Sequence, residues 1–230
     1  MQAVVLAGGF GTRLRQVVPA LPKPMAPVAG RPFLEILLTS LARKGFTHVV
    51  LSLGYMADKI TRHFGQRFAG LELSYEVETI PLGTGGAIRQ ASRHCTADHY
   101  FVFNGDSYLD LEIAAVEAWW QAHRVPIIVA RALSDTLRYG RLETHDGHIT
   151  GFVAKGVAGP GLINGGCYVF GEDELAGLPL GQAFSIETDY FPEQVQKRRY
   201  DYFLTEGQFI DIGVPEDFVR AQTELAEVCR

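Results

Sequence analysis

Apolar residues in the first 130 positions fall into two alternating patterns. Short apolar runs at residues 2–6, 48–53, 100–103 and 126–130 predict buried strands, and 71–77 alternates in the manner of a half-buried one. Between them lie helical patterns. Residues 31–44 carry Phe33, Ile36, Leu37, Leu38 and Leu41 at helical spacing, with Gly45 as the C-terminal cap. Residues 58–64, 85–94 and 111–123 also read as helices. Four β-α repeats with continuous apolar strands predict a parallel sheet covered by helices on both faces. The second half changes character. Residues 141–144 and 148–153 flank Asp146-Gly147, a hairpin signal. Residues 162–170 predict another strand, and 186–197 and 215–228 predict helices. The glycine-rich stretch 156–161 reads as a loop. With no linker and no repeat, the expectation is one domain over residues 1–230. Its fold class is α/β: a Rossmann-like mixed, mainly parallel sheet with helices on both faces and an antiparallel addition.

Composition narrows the classes. Apolar residues make up 47% and charged residues 20%, which is globular and not disordered. A net charge of −5 with mixed signs speaks against a nucleic-acid partner. No run of 18 apolar residues occurs, so no membrane span is expected. The N-terminus has no basic region before its glycines, unlike a signal peptide. Cys95, Cys167 and Cys229 have no metal-ligand spacing, and a sparse odd set fits a reducing compartment. Together these predict a cytoplasmic protein.

Candidate chemistry concentrates where strands end. The first strand runs into Leu6-Ala7-Gly8-Gly9-Phe10-Gly11-Thr12-Arg13-Leu14. Glycines at the carboxyl edge of an α/β sheet let backbone N–H groups approach a phosphate. The P-loop ending is missing, and Leu14 stands where a dinucleotide fingerprint needs glycine. What remains is a phosphate loop that also presents Arg13. In Leu21-Pro22-Lys23-Pro24 the prolines predict extended backbone that aims Lys23 in one direction. Pro81-Leu82-Gly83-Thr84-Gly85-Gly86-Ala87 is a second glycine turn, opening a helix on the same edge and able to press against a base or sugar. Asn104-Gly105-Asp106 and Phe209-Ile210-Asp211 each end a strand-like run in an aspartate. Two such carboxylates can meet at one Mg²⁺, which takes one or two of them plus substrate phosphates. The seven histidines show no ligand spacing, and no Ser–His–Asp or Cys–His set stands out. Asp110-Leu111-Glu112 resembles the Asp-x-Asp of metal-dependent glycosyltransferases, and a helix N-terminus explains it equally.

Taken in order, these segments resemble the sugar-1-phosphate nucleotidylyltransferases over nearly the whole chain. Residues 6–14 and 21–24 are similar to that family's two-part signature, and Asn104-Gly105-Asp106 and Asp211-Ile212-Gly213 to its two metal strands. Residues 81–87, Leu162-Ile163-Asn164-Gly165-Gly166 and 209–218 most resemble its heptose 1-phosphate guanylyltransferases, with mannose-1-phosphate guanylyltransferases close behind. The resemblance implies the nucleotide-diphospho-sugar transferase fold, with the antiparallel addition forming the sugar side. It implies GTP and a manno-configured sugar 1-phosphate as substrates, Mg²⁺ as cofactor, and a product feeding surface polysaccharide such as lipopolysaccharide or capsule. A homodimer is compatible with it. Leu6, Ala7, Gly8, Gly9, Gly11, Thr12, Glu78, Gly83 and Thr84 would bind nucleotide. Arg13, Lys23 and Asp106 would act in catalysis, and Asp106 and Asp211 would hold the metal. Gly140, Lys155, Asn164 and Glu187 would bind the sugar phosphate. One departure stands out: many members carry Glu-Lys where this chain has Ala154-Lys155, so a sugar hydroxyl contact must come from elsewhere, with Glu187 the expected source. A glycosyltransferase or a nonenzymatic sugar-nucleotide sensor remain the readings from other classes. Pyrophosphate release separates the first, and the full set of charged groups speaks against the second.

Overall fold

A computed structural model describes residues 1–9, 11, 14, 20–213, 215–226 and 228 of the chain. Its strands are β1 (Gln2–Leu6), β2 (Pro27–Val28), β3 (Arg31–Pro32), β4 (His48–Leu53), β5 (Arg67–Phe68), β6 (Leu71–Val77) and β7 (His99–Asn104). They continue with β8 (Ser107–Leu109), β9 (Ile127–Leu133), β10 (Arg141–His145), β11 (His148–Val153), β12 (Gly161–Gly171), β13 (Asp201–Thr205) and β14 (Phe209–Asp211). The helices are α1 (Phe33–Arg43), α2 (Ala57–Phe64), α3 (Gly83–Ala91), α4 (Ile113–His123), α5 (Phe191–Gln194) and α6 (Pro215–Glu224).

Ten strands form one mixed sheet in the order β10-β11-β13-β9-β12-β7-β1-β4-β6-β5. The parallel centre, β6-β4-β1-β7, is linked through α2, α1 and α3. β4 and β6 are added on one side of β1 and β7 on the other. The order therefore reverses between β1 and β7, and in open α/β sheets the ligand crevice lies outside the carboxyl ends at such a point. β12 runs antiparallel to both β7 and β9, so β9 and its parallel neighbour β13 point the same way as the centre.

The two faces follow from the period of two along each strand. Ala3 and Val5 pack on one side with Leu37 and Leu41 of α1 and Trp120 of α4. Val4 packs on the other with Ile88 of α3, Tyr168 and Phe191. Burial on both faces is why these strands read as unbroken apolar runs. A third cluster joins Phe33 of α1 to Tyr108, Ile210, Phe218 and Leu225, docking the β8–β14 ribbon and α6 beside the sheet. Helix α1 ends as its sequence predicts. Gly45 has φ +89, its N–H bonds Ala42 O at 3.1 Å, and the Phe46 N–H bonds Leu41 O at 3.2 Å. The Asp146-Gly147 turn closes β10 on β11 with φ of +46 and +81, the two positive values a type I′ turn needs.

Two expectations are refined, and one strand is added. The strand predicted at 126–130 exists as β9, but β12 is inserted between it and the parallel centre. The segment predicted as one helix over 186–197 is a wide π turn, Ile186–Tyr190, followed by α5, with Pro192 at its start. Strand β13 is not among the predicted strands, although its Tyr202, Phe203 and Thr205 are strand-forming residues. Its Asp201 is fully buried, and its partner β9 lies more than 60 positions earlier in the chain. The buried carboxylate is tied to Arg199 Nε at 2.5 Å and to Trp119 Nε1 at 2.9 Å. No described helix is long and apolar enough to cross a membrane. Among the described residues Cys95 and Cys167 are free, and Cys229 lies outside them.

Candidate active site

Two confluent clefts open at the carboxyl ends of the central strands. The smaller, of about 310 Å³, lies over β1, β4, β6 and β7 and is lined by Leu6, Ala7, Gly8, Gly9, Glu78 and Thr84, with Pro81, Gly83, Lys23 and Asp106 at its rim. The larger, of about 710 Å³, lies over β10–β12 and the π turn, and Gly140, Lys155, Asn164 and Asp211 line it. Asn104 and Glu187 belong to both. Every expected site residue among the described positions except Gly11 thus lines one of the two clefts, and Gly11 packs against Lys23. Thr12 and Arg13 lie outside the described residues.

The first loop is shaped by close backbone approach. A Cβ on Gly8 would stand 3.1 Å from Gly54 N and from Leu53 C, and one on Gly11, where φ is +58, would stand 2.8 Å from Lys23 Cβ. Gly9 is different: nothing lies within 4 Å of its Cβ position. Packing accounts for Gly8 and Gly11 and leaves Gly9 facing open cleft, as a loop made for backbone contact with a ligand requires.

Lys23 arrives by a route the prolines only partly foretell. Pro22 is extended, but Lys23 opens a 3-10 turn closed by the Met25 N–H on Pro22 O at 2.8 Å and the Ala26 N–H on Lys23 O at 3.0 Å. The tight turn, rather than extended backbone, aims the side chain. Its ammonium lies 2.5 Å from Asp106 Oδ2 and 3.9 Å from Asp211 Oδ1.

The two aspartates meet because β8 pairs with β14. In that ribbon Asp211 faces Ser107, the residue after Asp106, and the Ile212 N–H bonds Asp106 O at 3.0 Å. Gly105 keeps this corner against β1: its N–H bonds Leu6 O at 2.8 Å, and a Cβ there would meet that oxygen at 2.5 Å. No group of three or more His, Cys, Asp or Glu side chains fit to hold a metal occurs among the described residues. A converging pair of hard carboxylate oxygens is nevertheless the donor set Mg²⁺ uses when substrate phosphates complete its shell, so these residues fit that ion.

At the far wall of the smaller cleft, burial pushes the Glu78 carboxyl above its ordinary range, while the Leu82 N–H, 3.0 Å from Oε2, pulls the other way. The second glycine turn is less a ligand surface than its sequence implies. Gly85 and Gly86 are pressed against Phe184 and Gln182, and the Gly85 N–H bonds Phe184 O at 3.0 Å. Only Gly83, Thr84, Pro81 and Ala87 of that turn reach the cleft.

A hydrogen-bonded relay links the clefts. Thr84 Oγ1 donates to Glu187 Oε2 at 2.6 Å and accepts from the Ile186 N–H at 2.9 Å. The fully buried Tyr168 hydroxyl donates to Glu187 Oε1 at 3.2 Å and accepts from Asn164 Nδ2 at 2.9 Å. A bulge at Gly165-Gly166, with φ +73 at Gly166, interrupts the β12–β9 register beside Asn164. The loop bearing Lys155 is strapped from below. Buried Thr136 donates to Val157 O at 3.0 Å, and Arg141 reaches Thr136 Oγ1 and the 157–159 carbonyls. Sequence reasoning missed Tyr168, Thr136 and Arg141. A tyrosine in an apolar strand reads as core, and a threonine between loops carries no local signal.

Fold and clefts together describe an α/β transferase with two adjoining clefts at the ends of its strands. The nucleotidyl transferase family model matches residues 2–228, and the chain belongs to that family. It is 36% identical to D-glycero-α-D-manno-heptose 1-phosphate guanylyltransferase of Aneurinibacillus thermoaerophilus, over 98% of each chain. It is 35% identical to mannose-1-phosphate guanylyltransferase of Mycobacterium tuberculosis, covering 98% of this chain and 64% of that one. The crystal structure of HddC from Yersinia pseudotuberculosis complexed with GMP-PN matches with TM-score 0.86 and 36% identity, covering 97% of this chain and 99% of that one.

Proposed function

We propose that the chain is a guanylyltransferase that converts GTP and a manno-configured sugar 1-phosphate, D-glycero-α-D-manno-heptose 1-phosphate in particular, to GDP-sugar and pyrophosphate. The carrying observation is the junction: Lys23 and Asp106 on one cleft, Asp211 on the other, all within one ammonium's reach. Nucleotide phosphates in the first cleft and a sugar phosphate in the second would be brought together at that point. The sugar phosphate oxygen attacks the α-phosphorus, and the bond to the pyrophosphate oxygen breaks in line. A phosphate monoester is already anionic near neutral pH, so the step needs no general base, and positioning with charge stabilisation suffices.

In this reading the Gly8-Gly9 backbone cradles the triphosphate and Arg13 stabilises the leaving pyrophosphate. Lys23 neutralises charge at the α-phosphate. Asp106 and Asp211 would hold Mg²⁺, which when bound offsets negative charge on the two reacting phosphates. Lys155 and Gly140 face the sugar phosphate, and Asn164 and Glu187 the sugar. Glu78, an acceptor-only carboxylate, takes the adjacent N1–H and 2-amino donors of guanine. The product would supply surface-polysaccharide synthesis, lipopolysaccharide or capsule, from the cytoplasm. Mannose 1-phosphate is the second reading, favoured by the mycobacterial relative.

The deciding experiment measures pyrophosphate release with GTP, dTTP and UTP against heptose, mannose and glucose 1-phosphates. The expected best pair is GTP with the heptose phosphate. A preference for dTTP or UTP would sink the guanylyl assignment, and a preference for mannose 1-phosphate would shift it to the second reading.

A further inference from the structure

Lys23 is held where a cation would sit. Its side chain is 10% exposed, with the ammonium 2.5 Å from Asp106 Oδ2 and 3.9 Å from Asp211 Oδ1. Two glycines leave it room. A Cβ at Gly11 would stand 2.8 Å from Lys23 Cβ, and one at Gly213 would stand 3.0 Å from Lys23 Nζ and 2.7 Å from Asp211 Oδ1. The Gly213 N–H in turn fixes Asp211 Oδ1 at 2.7 Å. An ammonium and a divalent ion cannot both be stable at this spot without another anion, because like charges a few ångströms apart in a partly buried site repel strongly.

We propose that Lys23 is an internal competitor for the divalent cation. In the nucleotide-free protein its ammonium neutralises the carboxylate pair and keeps metal affinity low. A triphosphate entering the smaller cleft offers the ammonium a more highly charged partner, and the released carboxylates then take the cation. Metal and nucleotide therefore bind cooperatively through one lysine, and the coupling is reciprocal: bound metal frees Lys23 for phosphate. The protein thus avoids holding metal in an empty site. This inference rests on the reading of Asp106 and Asp211 as the cation pair.

The test is Mn²⁺ binding to nucleotide-free protein, followed by loss of the free-ion signal in electron paramagnetic resonance. The proteins are wild type, Lys23→Met, Lys23→Gln and the Lys23→Met/Asp106→Asn double variant. Two lysine substitutions of different polarity are used so that a folding defect in one leaves the other decisive. Each folded lysine variant is expected to bind Mn²⁺ about tenfold or more tightly than wild type, and the double variant to lose that gain. Lysine variants that bind no more tightly than wild type overturn the competition while leaving the cation pair standing, if wild type itself binds. A gain that survives Asp106→Asn also overturns it. Absence of Mn²⁺ binding in every nucleotide-free protein overturns the competition, and an Asp106→Asn variant whose turnover keeps the wild-type Mg²⁺ dependence overturns the cation pair.

Discussion

The two clefts meet at Asn104 and Glu187 yet are made of different material. The smaller has main chain at its base: Gly8 and Gly9 stand at the end of a parallel strand, and Gly9 turns an open face to the cavity. The larger is walled by side chains held through hydrogen bonds, as with Asn164, Tyr168 and Glu187, and its Lys155 rides on a strapped loop. Amides in a fixed turn bind whatever carries a phosphate. Side chains in a relay recognise a particular arrangement of hydroxyls. A fold that keeps the first cleft and varies the second can change its sugar without changing its phosphate chemistry. The aspartate ribbon lies at the seam, with Asp106 on one cleft and Asp211 on the other, so the proposed function predicts the largest effects there.

Asp106→Asn and Asp211→Asn should each lower kcat by about 10³-fold, the upper range for removing one strong electrostatic stabiliser. The helices and sheet should remain, checked by circular dichroism. An amide is a poor hard-cation ligand, so excess Mg²⁺ should recover little. If one variant keeps wild-type turnover at low Mg²⁺, that aspartate does not belong to the seam. Next comes the phosphate side alone. Arg13→Ala should reduce kcat by about 10²-fold with a smaller change in KM for GTP, because charge builds on pyrophosphate as the bond breaks. A pure KM effect would place Arg13 in ground-state binding.

The same contrast governs how much of the molecule its sequence reveals. The parallel centre is local: each strand is a short apolar run, and each ligand loop directly follows its strand. Strands 2–6, 48–53 and 71–77, the Gly45 cap and the Asp146-Gly147 turn are all legible, because each depends on neighbours a few positions away. The antiparallel side is assembled from a distance. β12 enters between β7 and β9, and β13 reaches β9 from more than 60 positions later, so neither placement has a local cause. The site divides likewise. Asp106 and Asp211 are readable as strand-end carboxylates, but their meeting depends on β8 pairing with β14, 100 positions apart. The role of Tyr168 depends on a partner, Glu187, in a π turn that the helical pattern hides.

Glu78 tests whether side-chain recognition intrudes on the main-chain cleft. Glu78→Gln should reduce discrimination for GTP over dTTP or UTP by about 1–3 kcal/mol, the scale of leaving a buried donor unpaired. Acid should act in the same direction. The Glu78 carboxyl titrates above its usual 4.5 because burial disfavours the charge. As pH falls, the acceptor is therefore lost earlier than an exposed carboxylate would lose it. In stability the sign is opposite: a raised folded pKa favours the protonated protein, so that contribution is present at low pH and lost as pH rises through the folded value. kcat/KM for the three nucleotides across pH, in wild type and variant, reads both effects. A ratio that neither substitution nor acid changes would remove Glu78 from the base side.

The smallest expected effect is the sharpest probe of the second cleft. Tyr168 is fully buried in the wall of the larger cleft, and its hydroxyl bonds Asn164 and Glu187. Tyr168→Phe keeps the ring, and with it the contacts to Phe170 and Phe191. It deletes one donor and one acceptor, leaving Glu187 Oε1 and Asn164 Nδ2 to find other partners. Losing such a buried hydrogen bond costs about 1 kcal/mol, or roughly a fivefold change in an equilibrium constant. If Tyr168 positions the sugar contacts, that factor should appear in KM for the sugar 1-phosphate while KM for GTP stays within experimental error. If the hydroxyl is merely structural, the melting temperature falls and both KM values stay together. Should KM for GTP rise as much as that for the sugar phosphate, the relay through Glu187 and Thr84 transmits strain to the nucleotide side. The two clefts would then be one recognition unit, and the division between main-chain and side-chain recognition would fail at the point where they meet.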